Sequence, residues 1–109
     1  MKKIFCALML FVSSASMSAD QWHVTEIKSV YPLSDGAFIV RFEVDHSACT
    51  SPEATDYYYV RVGENDVTQE ALDKMYVALL SAGMAGKTVE VNFDDSTPYC
   101  YINRLLVNF

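Results

Sequence analysis

The chain has 109 residues, 51% of them hydrophobic, and a formal net charge of −6 at pH 7. Its few lysines and arginines form no cluster, which argues against a nucleic-acid role, because such binding depends on cationic side chains displacing counterions from phosphates. The length suits one small hydrophobic core, near the lower end of what such a core can hold together.

Lys2 and Lys3 open the chain, Ile4 to Val12 is an apolar run, and Ser13 to Ala19 is small and polar apart from Met17. That three-part layout predicts a secretory signal peptide over residues 1–19, cut after Ala19 or Ser18. The apolar run falls well short of the roughly 20 residues that span a bilayer, so no stable membrane anchor is expected. The predicted destination is the periplasm or the exterior.

Cleavage removes Cys6 and leaves Cys49 and Cys100 in a single domain, residues 20–109, with 14 carboxylates against six lysines and arginines. Two cysteines in an exported chain predict a disulfide rather than a metal site or catalytic thiol. Closing a loop of about 50 residues contributes ~4 kcal/mol in the chain-entropy account.

Trp22 to Tyr31 reads as a first strand whose apolar positions, Trp22, Val24, Ile27, Val30 and Tyr31, change phase near Glu26. Such a switch predicts a bulge that bends the strand between two faces. Pro32 to Gly36 is a turn. In the second strand Phe38, Val40, Phe42 and Val44 alternate with Ile39, Arg41, Glu43 and Asp45, predicting an apolar and a mostly charged face. His46 to Asp56 is a polar loop carrying Cys49, and Tyr57 to Val62 is a third strand with Tyr58, Val60 and Val62 inward.

Asp66 with Gln69 forms one capping signal and Thr68 another for a helix whose buried stripe is Leu72, Met75, Tyr76, Leu79 and Leu80. Gly83 or Gly86 stops it. Val89, Val91 and Phe93 then mark a fourth strand, Asp94 to Pro98 a turn, and Tyr99 to Phe109 a fifth strand. The fifth strand is apolar in both phases, which predicts burial on two sides or a bulge near Asn103 and Arg104.

Three strands, one helix and two strands is the element order of the OB-fold, a mainly β, five-stranded, partly open barrel. In that fold the third and fifth strands meet where the barrel closes, so a Cys49–Cys100 bond is compatible with the order.

The stretch Ala71-Leu72-Asp73-Lys74-Met75-Tyr76-Val77-Ala78-Leu79-Leu80-Ser81-Ala82-Gly83, followed by Gly86-Lys87-Thr88-Val89-Glu90-Val91, resembles the helix-then-strand segment of the cell-binding B subunits of subtilase-type AB toxins. The resemblance is best over residues 57–107. It implies an exported, disulfide-bonded OB-fold that assembles as a pentameric ring and binds glycans. No glycan-contact residue of that family maps onto this chain.

Enzyme activity is not expected. A site of this size needs a nucleophile with a base, a carboxylate pair in a cleft, or metal ligands. The two histidines, His23 and His46, read as surface residues, and Asp94 with Asp95 reads as a solvated turn rather than a calcium loop. No cofactor or metal is predicted.

Binding is the remaining class. OB-folds bind through the face of the second and third strands and the loops joining strands one to two and four to five. Those places hold Arg41, Glu43, Tyr57, Tyr59 and Arg61, then Ser34, Asp35, Asp94, Asp95, Ser96, Thr97 and Tyr99. Tyrosine rings stack on the apolar faces of sugars, and short polar groups bond hydroxyls. Alternation alone leaves open whether the tyrosines are exposed or packed. The partner is a glycan or an exported protein, bound by a ring or by a monomer.

Overall fold

The computed structural model describes residues 20–52 and 56–109. The predicted leader and its cleavage point lie outside the described residues. The element order is β1 (Asp20–Pro32), β2 (Phe38–Phe42), β3 (Tyr58–Val60), α1 (Gln69–Ala85), β4 (Thr88–Asp94) and β5 (Ile102–Val107). The strands form one antiparallel sheet in the order β3-β2-β1-β4-β5.

The sheet turns on β1. Its first half, Asp20 to Glu26, pairs with β4, and its second half, Ile27 to Pro32, pairs with β2. The register slips between Ile27 and Ser29, so Lys28 is the bulged residue and the strand bends there. The phase change expected near Glu26 is thus present two residues later. Before the bulge His23 and Thr25 point inward and Trp22 and Val24 face out, so the apolar residues of that half do not supply the core.

The core lies between the sheet and α1. Phe38, Val40 and Phe42 enter it from β2, Tyr58 and Val60 from β3, Val89, Val91 and Phe93 from β4, and Ile102 from β5. Leu72, Met75, Leu79 and Ala82 face it from α1. Those four recur every three or four residues along one stripe. Leu80 sits about a quarter-turn away and is exposed, and Tyr76 is half-buried. Val44 and Val62 are also exposed, because β2 ends at Phe42 and β3 at Val60 before either valine is reached.

Thr68, not Asp66, caps α1: its side-chain oxygen accepts the Ala71 N–H at 3.1 Å, while Asp66 adopts a left-handed backbone. Gly86 ends the helix with φ 67°, the conformation glycine adopts without penalty. Gly83 remains inside the helix, where an added Cβ would sit 3.4 Å from the Ile27 side chain. The small residue there lets α1 approach β1.

The predicted irregularity of β5 is a bulge at Asn103. Phe93 faces Ile102 and Asn92 faces Arg104, leaving Asn103 unmatched. The slip reverses the strand's phase, so Ile102 before it and Leu105 and Val107 after it all pack against the core.

The sheet is not closed, and β3 and β5 are its two outer strands. They are tied nonetheless. Cys49 and Cys100 form a disulfide with a Cα separation of 5.7 Å, and the Tyr59 N–H donates to the Tyr99 carbonyl at 3.1 Å.

Candidate functional site

β3 places Tyr58 and Val60 in the core, so alternation turns Tyr57, Tyr59 and Arg61 outward. The ladder aligns Tyr31 of β1, Ile39 of β2 and Tyr59 of β3 in one row across the sheet. Ile39 is only 3% exposed although it lies outside the main core, as expected of an aliphatic residue flanked by two large rings.

A second group of rings comes from the segment leading into β5. Tyr99 and Tyr101 stack with centroids 5.4 Å apart, and Tyr59 meets them edge-on at 5.4 and 6.2 Å. Tyr57 lies 6.5 Å from Tyr59 and 6.4 Å from Tyr31. The result is a patch of five tyrosines drawn from three distant parts of the chain. A shallow pocket of about 100 Å³ opens within it between Pro52, Tyr59, Pro98 and Tyr99.

Arg61 fastens one side of the patch. Its guanidinium carbon lies 5.7 Å from the centre of the Tyr59 ring, and its Nη2 is 3.2 Å from the Asp35 carboxylate. Asp35 is held in turn, since its Oδ1 accepts the Ala37 N–H at 3.1 Å. Burial, reinforced by the Glu64 carboxylate, pushes the Tyr101 hydroxyl above its ordinary pKa, against the charge and hydrogen bond of Arg61. The phenol is therefore neutral and acts as a hydroxyl. The Tyr101 carbonyl accepts from Asn65 Nδ2 at 2.9 Å, which fixes the backbone beneath the ring.

The structure thus brings together Tyr57, Tyr59, Arg61 and Tyr99 of the sequence candidates. Arg41 is opposite Ser29 on the same outward face, one outward position along β2 from Ile39. Asp94, Asp95 and Ser96 belong to a different arrangement. The Asp94 carboxylate accepts both the N–H and the hydroxyl of Ser96 at 2.9 Å, and Asp95 accepts from Gln21 Nε2 at 2.9 Å. These bonds shape the β4–β5 turn and dock it on the start of β1. Thr97 likewise works within the turn, accepting the Tyr99 N–H at 3.3 Å.

Tyr31 and Tyr101 are patch residues the sequence reading did not select. A signal existed for Tyr101: Tyr99 and Tyr101 repeat the two-residue spacing of Tyr57 and Tyr59 around Cys100. Tyr31 gave less warning, because its outward direction depends on the bulge at Lys28.

The surface reading of His23 is corrected. The residue is 7% exposed, its ring stacked on Tyr58 at 6.0 Å and edge-on to Phe42 and His46 at 5.5 and 5.4 Å. An inward slot on β1 receives it because the strand's phase there favours odd positions. Its Nε2 bonds the Val44 carbonyl. Burial lowers its pKa below the usual 6.5, opposed by the Val44 bond. His46 is half-buried, and its Nδ1 accepts the Ala48 N–H at 3.0 Å.

Among the described residues no group of three or more His, Cys, Asp or Glu side chains is placed to hold a metal ion, and no helix is long and apolar enough to cross a membrane. No protein-family model matches the chain, and comparison with curated proteins finds no significant match.

Proposed function

We propose that this chain is an exported, non-enzymatic binding domain that takes a glycan on the patch of Tyr31, Tyr57, Tyr59 and Tyr99, with the buried Tyr101 supporting it from beneath. The observation that carries the reading is the convergence of five tyrosine rings, two of which, Tyr59 and Tyr99, line a shallow pocket with Pro52 and Pro98. Phenol rings offer flat apolar surface for the C–H faces of a sugar, and their hydroxyls bond its oxygens. Rigid aromatic residues also lose little side-chain freedom on binding. Arg61 is engaged with Asp35 and Tyr59 and serves to hold the patch in shape.

An OB-type barrel is the architecture we assign. Support comes from the sheet order β3-β2-β1-β4-β5, the bent β1 shared by both halves, and the two ties between the β3 and β5 ends. Proximity of those ends is what barrel closure requires. The resemblance to toxin B subunits adds a ring of protomers to the proposal. Exposed Val77, Leu80 and Met84 form a stripe along α1 that would serve as one edge of a heterologous, ring-closing contact.

The second reading is a monomeric periplasmic domain that binds a protein through the same tyrosines, which are enriched at protein interfaces. A glycan-array screen of the purified protein, run beside Tyr59→Ala, tests the first reading. Binding that disappears in the variant supports it, and an array without any hit rejects it. Mass measurement in solution tests the ring, which a monomer at micromolar concentration would rule out.

A further inference from the structure

On the other half of the sheet, away from the tyrosine patch, the outward faces of β1, β4 and β5 carry Trp22, Asn92 and Arg104 in one register row. Val91 and Phe93 point into the core on either side of Asn92, so the amide points outward. Asn92 is nevertheless 0% exposed, and both its Oδ1 and its Nδ2 are buried without a hydrogen-bond partner. A carboxamide has an acceptor and two donors to satisfy, and a native fold rarely leaves all of them unmet.

Its neighbours in the row have the form of walls around it. The Arg104 guanidinium carbon lies 5.3 Å from the centre of the Trp22 ring, so two flat π-surfaces close above the amide. The closure is loosely held: Arg104 and Asp20 are each about half exposed and only 4.0 Å apart, and the Arg104 contact with Asn103 Oδ1 is 3.4 Å. Exposed ion pairs of this kind contribute little. Trp22 is itself 47% exposed.

We propose that Trp22, Asn92 and Arg104 form a slot for one uncharged planar heterocycle of the nucleobase type, entering edge-on with Arg104 as its movable wall. The dimensions support a flat ligand. Trp22 and Arg104 rise from strands two ladder spacings apart, about 9.6 Å. A ring stacked on both walls needs two van der Waals separations of about 3.5 Å, or roughly 7 Å. The present 5.3 Å reaches that value when a long, half-exposed side chain shifts by roughly 2 Å. A puckered sugar ring is thicker and would force the walls further apart.

The chemistry of the floor selects the edge. A carboxamide presents a donor beside an acceptor, and it pairs with an edge carrying the complementary two, as in adenine N6 and N7. The indole and the guanidinium both stack on such rings. Asp20 and Glu90 stand close by in the ladder, a setting that disfavours a phosphate and is consistent with an uncharged nucleoside instead of a nucleic-acid strand.

Trp22 is the sole tryptophan of the chain, so its emission reports directly on this slot. The purified protein is titrated with adenosine, with N6,N6-dimethyladenosine and with methyl β-glucoside. The slot requires saturable quenching by adenosine, weakened roughly ten-fold for the dimethyl analogue, which stacks but has lost the exocyclic donor. Asn92→Leu should lose the saturable response while melting at the same temperature or higher, because it removes two unmet buried polar atoms. Quenching that stays linear with adenosine overturns the proposal, as does equal binding of both nucleosides or a saturable response to the glucoside alone. The nucleoside comparison on the unmodified protein decides the matter even where Asn92→Leu fails to fold. Because Tyr59→Ala leaves this slot intact, failure here and failure of the glycan reading are distinguishable.

Discussion

The hydroxyl of Tyr58 accepts the backbone N–H of His46 at 2.8 Å inside the core. That bond fastens the loop after β2 to the start of β3, and it accounts for a phenol lodged among Phe42, Phe93 and His23. Burial raises the Tyr58 pKa well beyond the ordinary tyrosine value, so the group is a neutral hydroxyl at every physiological pH.

Tyr58→Phe removes the acceptor and leaves the His46 N–H buried without a partner. The expected loss is about 1–3 kcal/mol, read as a lower midpoint in urea unfolding with an unchanged slope. An unchanged midpoint would show that solvent reaches the loop and satisfies the amide.

The disulfide should carry a large part of the stability. Cys49→Ser or Cys100→Ser is expected to cost about 2–5 kcal/mol, which for a domain of this size lowers Tm by at least 10 °C or so. Thermal circular dichroism with and without reductant measures it. The same loss is expected to loosen the tyrosine patch, because Tyr99 and Tyr101 flank Cys100 and Tyr59 bonds the Tyr99 carbonyl.

His23 makes stability depend on pH. Its folded pKa lies below the unfolded value of 6.5 because the ring is buried, so the unfolded chain binds the proton more readily. The contribution is complete above about pH 6.5 and is lost as pH falls through that value toward the lower folded pKa. Tm should therefore fall between about pH 7 and pH 5, and His23→Gln should flatten that part of the profile. An NMR titration giving His23 a pKa of 6.5 or above would contradict the assignment.

The helix ends offer a paired test. Thr68→Ala removes the cap on the Ala71 N–H and should cost about 1 kcal/mol. Gly86→Ala forces a side chain into the left-handed region and should cost roughly 1 kcal/mol as well. The sites lie at opposite ends of α1, so the double variant is expected to show the sum of the two within about 0.5 kcal/mol. Equilibrium denaturation provides the values.

Much of the local structure was legible along the chain. Alternation in Phe38 to Phe42 and Val89 to Phe93, the stripe of Leu72, Met75 and Leu79, and the turn at Pro32 to Gly36 are all present. These are short-range properties, in which neighbours along the chain decide burial. The Cys49–Cys100 pairing was equally accessible, because setting aside Cys6 with the predicted leader leaves two cysteines and one way to join them.

Direction and convergence were not accessible in this way. A one-residue bulge reverses every later side chain, so Lys28 decides that Tyr31 faces outward and Asn103 decides that Leu105 and Val107 face in. Polar His23 and Asn92 look like surface residues in the sequence, and only the packed sheet buries them. The candidate site shows the same division. Tyr57, Tyr59, Arg61 and Tyr99 were recognisable by residue type, yet their grouping with Tyr31 and Tyr101, and the separate role of Asp94, Asp95 and Ser96, depend on contacts between distant segments. By itself the sequence determined the elements, the disulfide and the aromatic and acidic character of the surface, because those follow from composition and local period. Only the tertiary structure decided which rings share a patch and which polar groups lie buried, because strand register sets both.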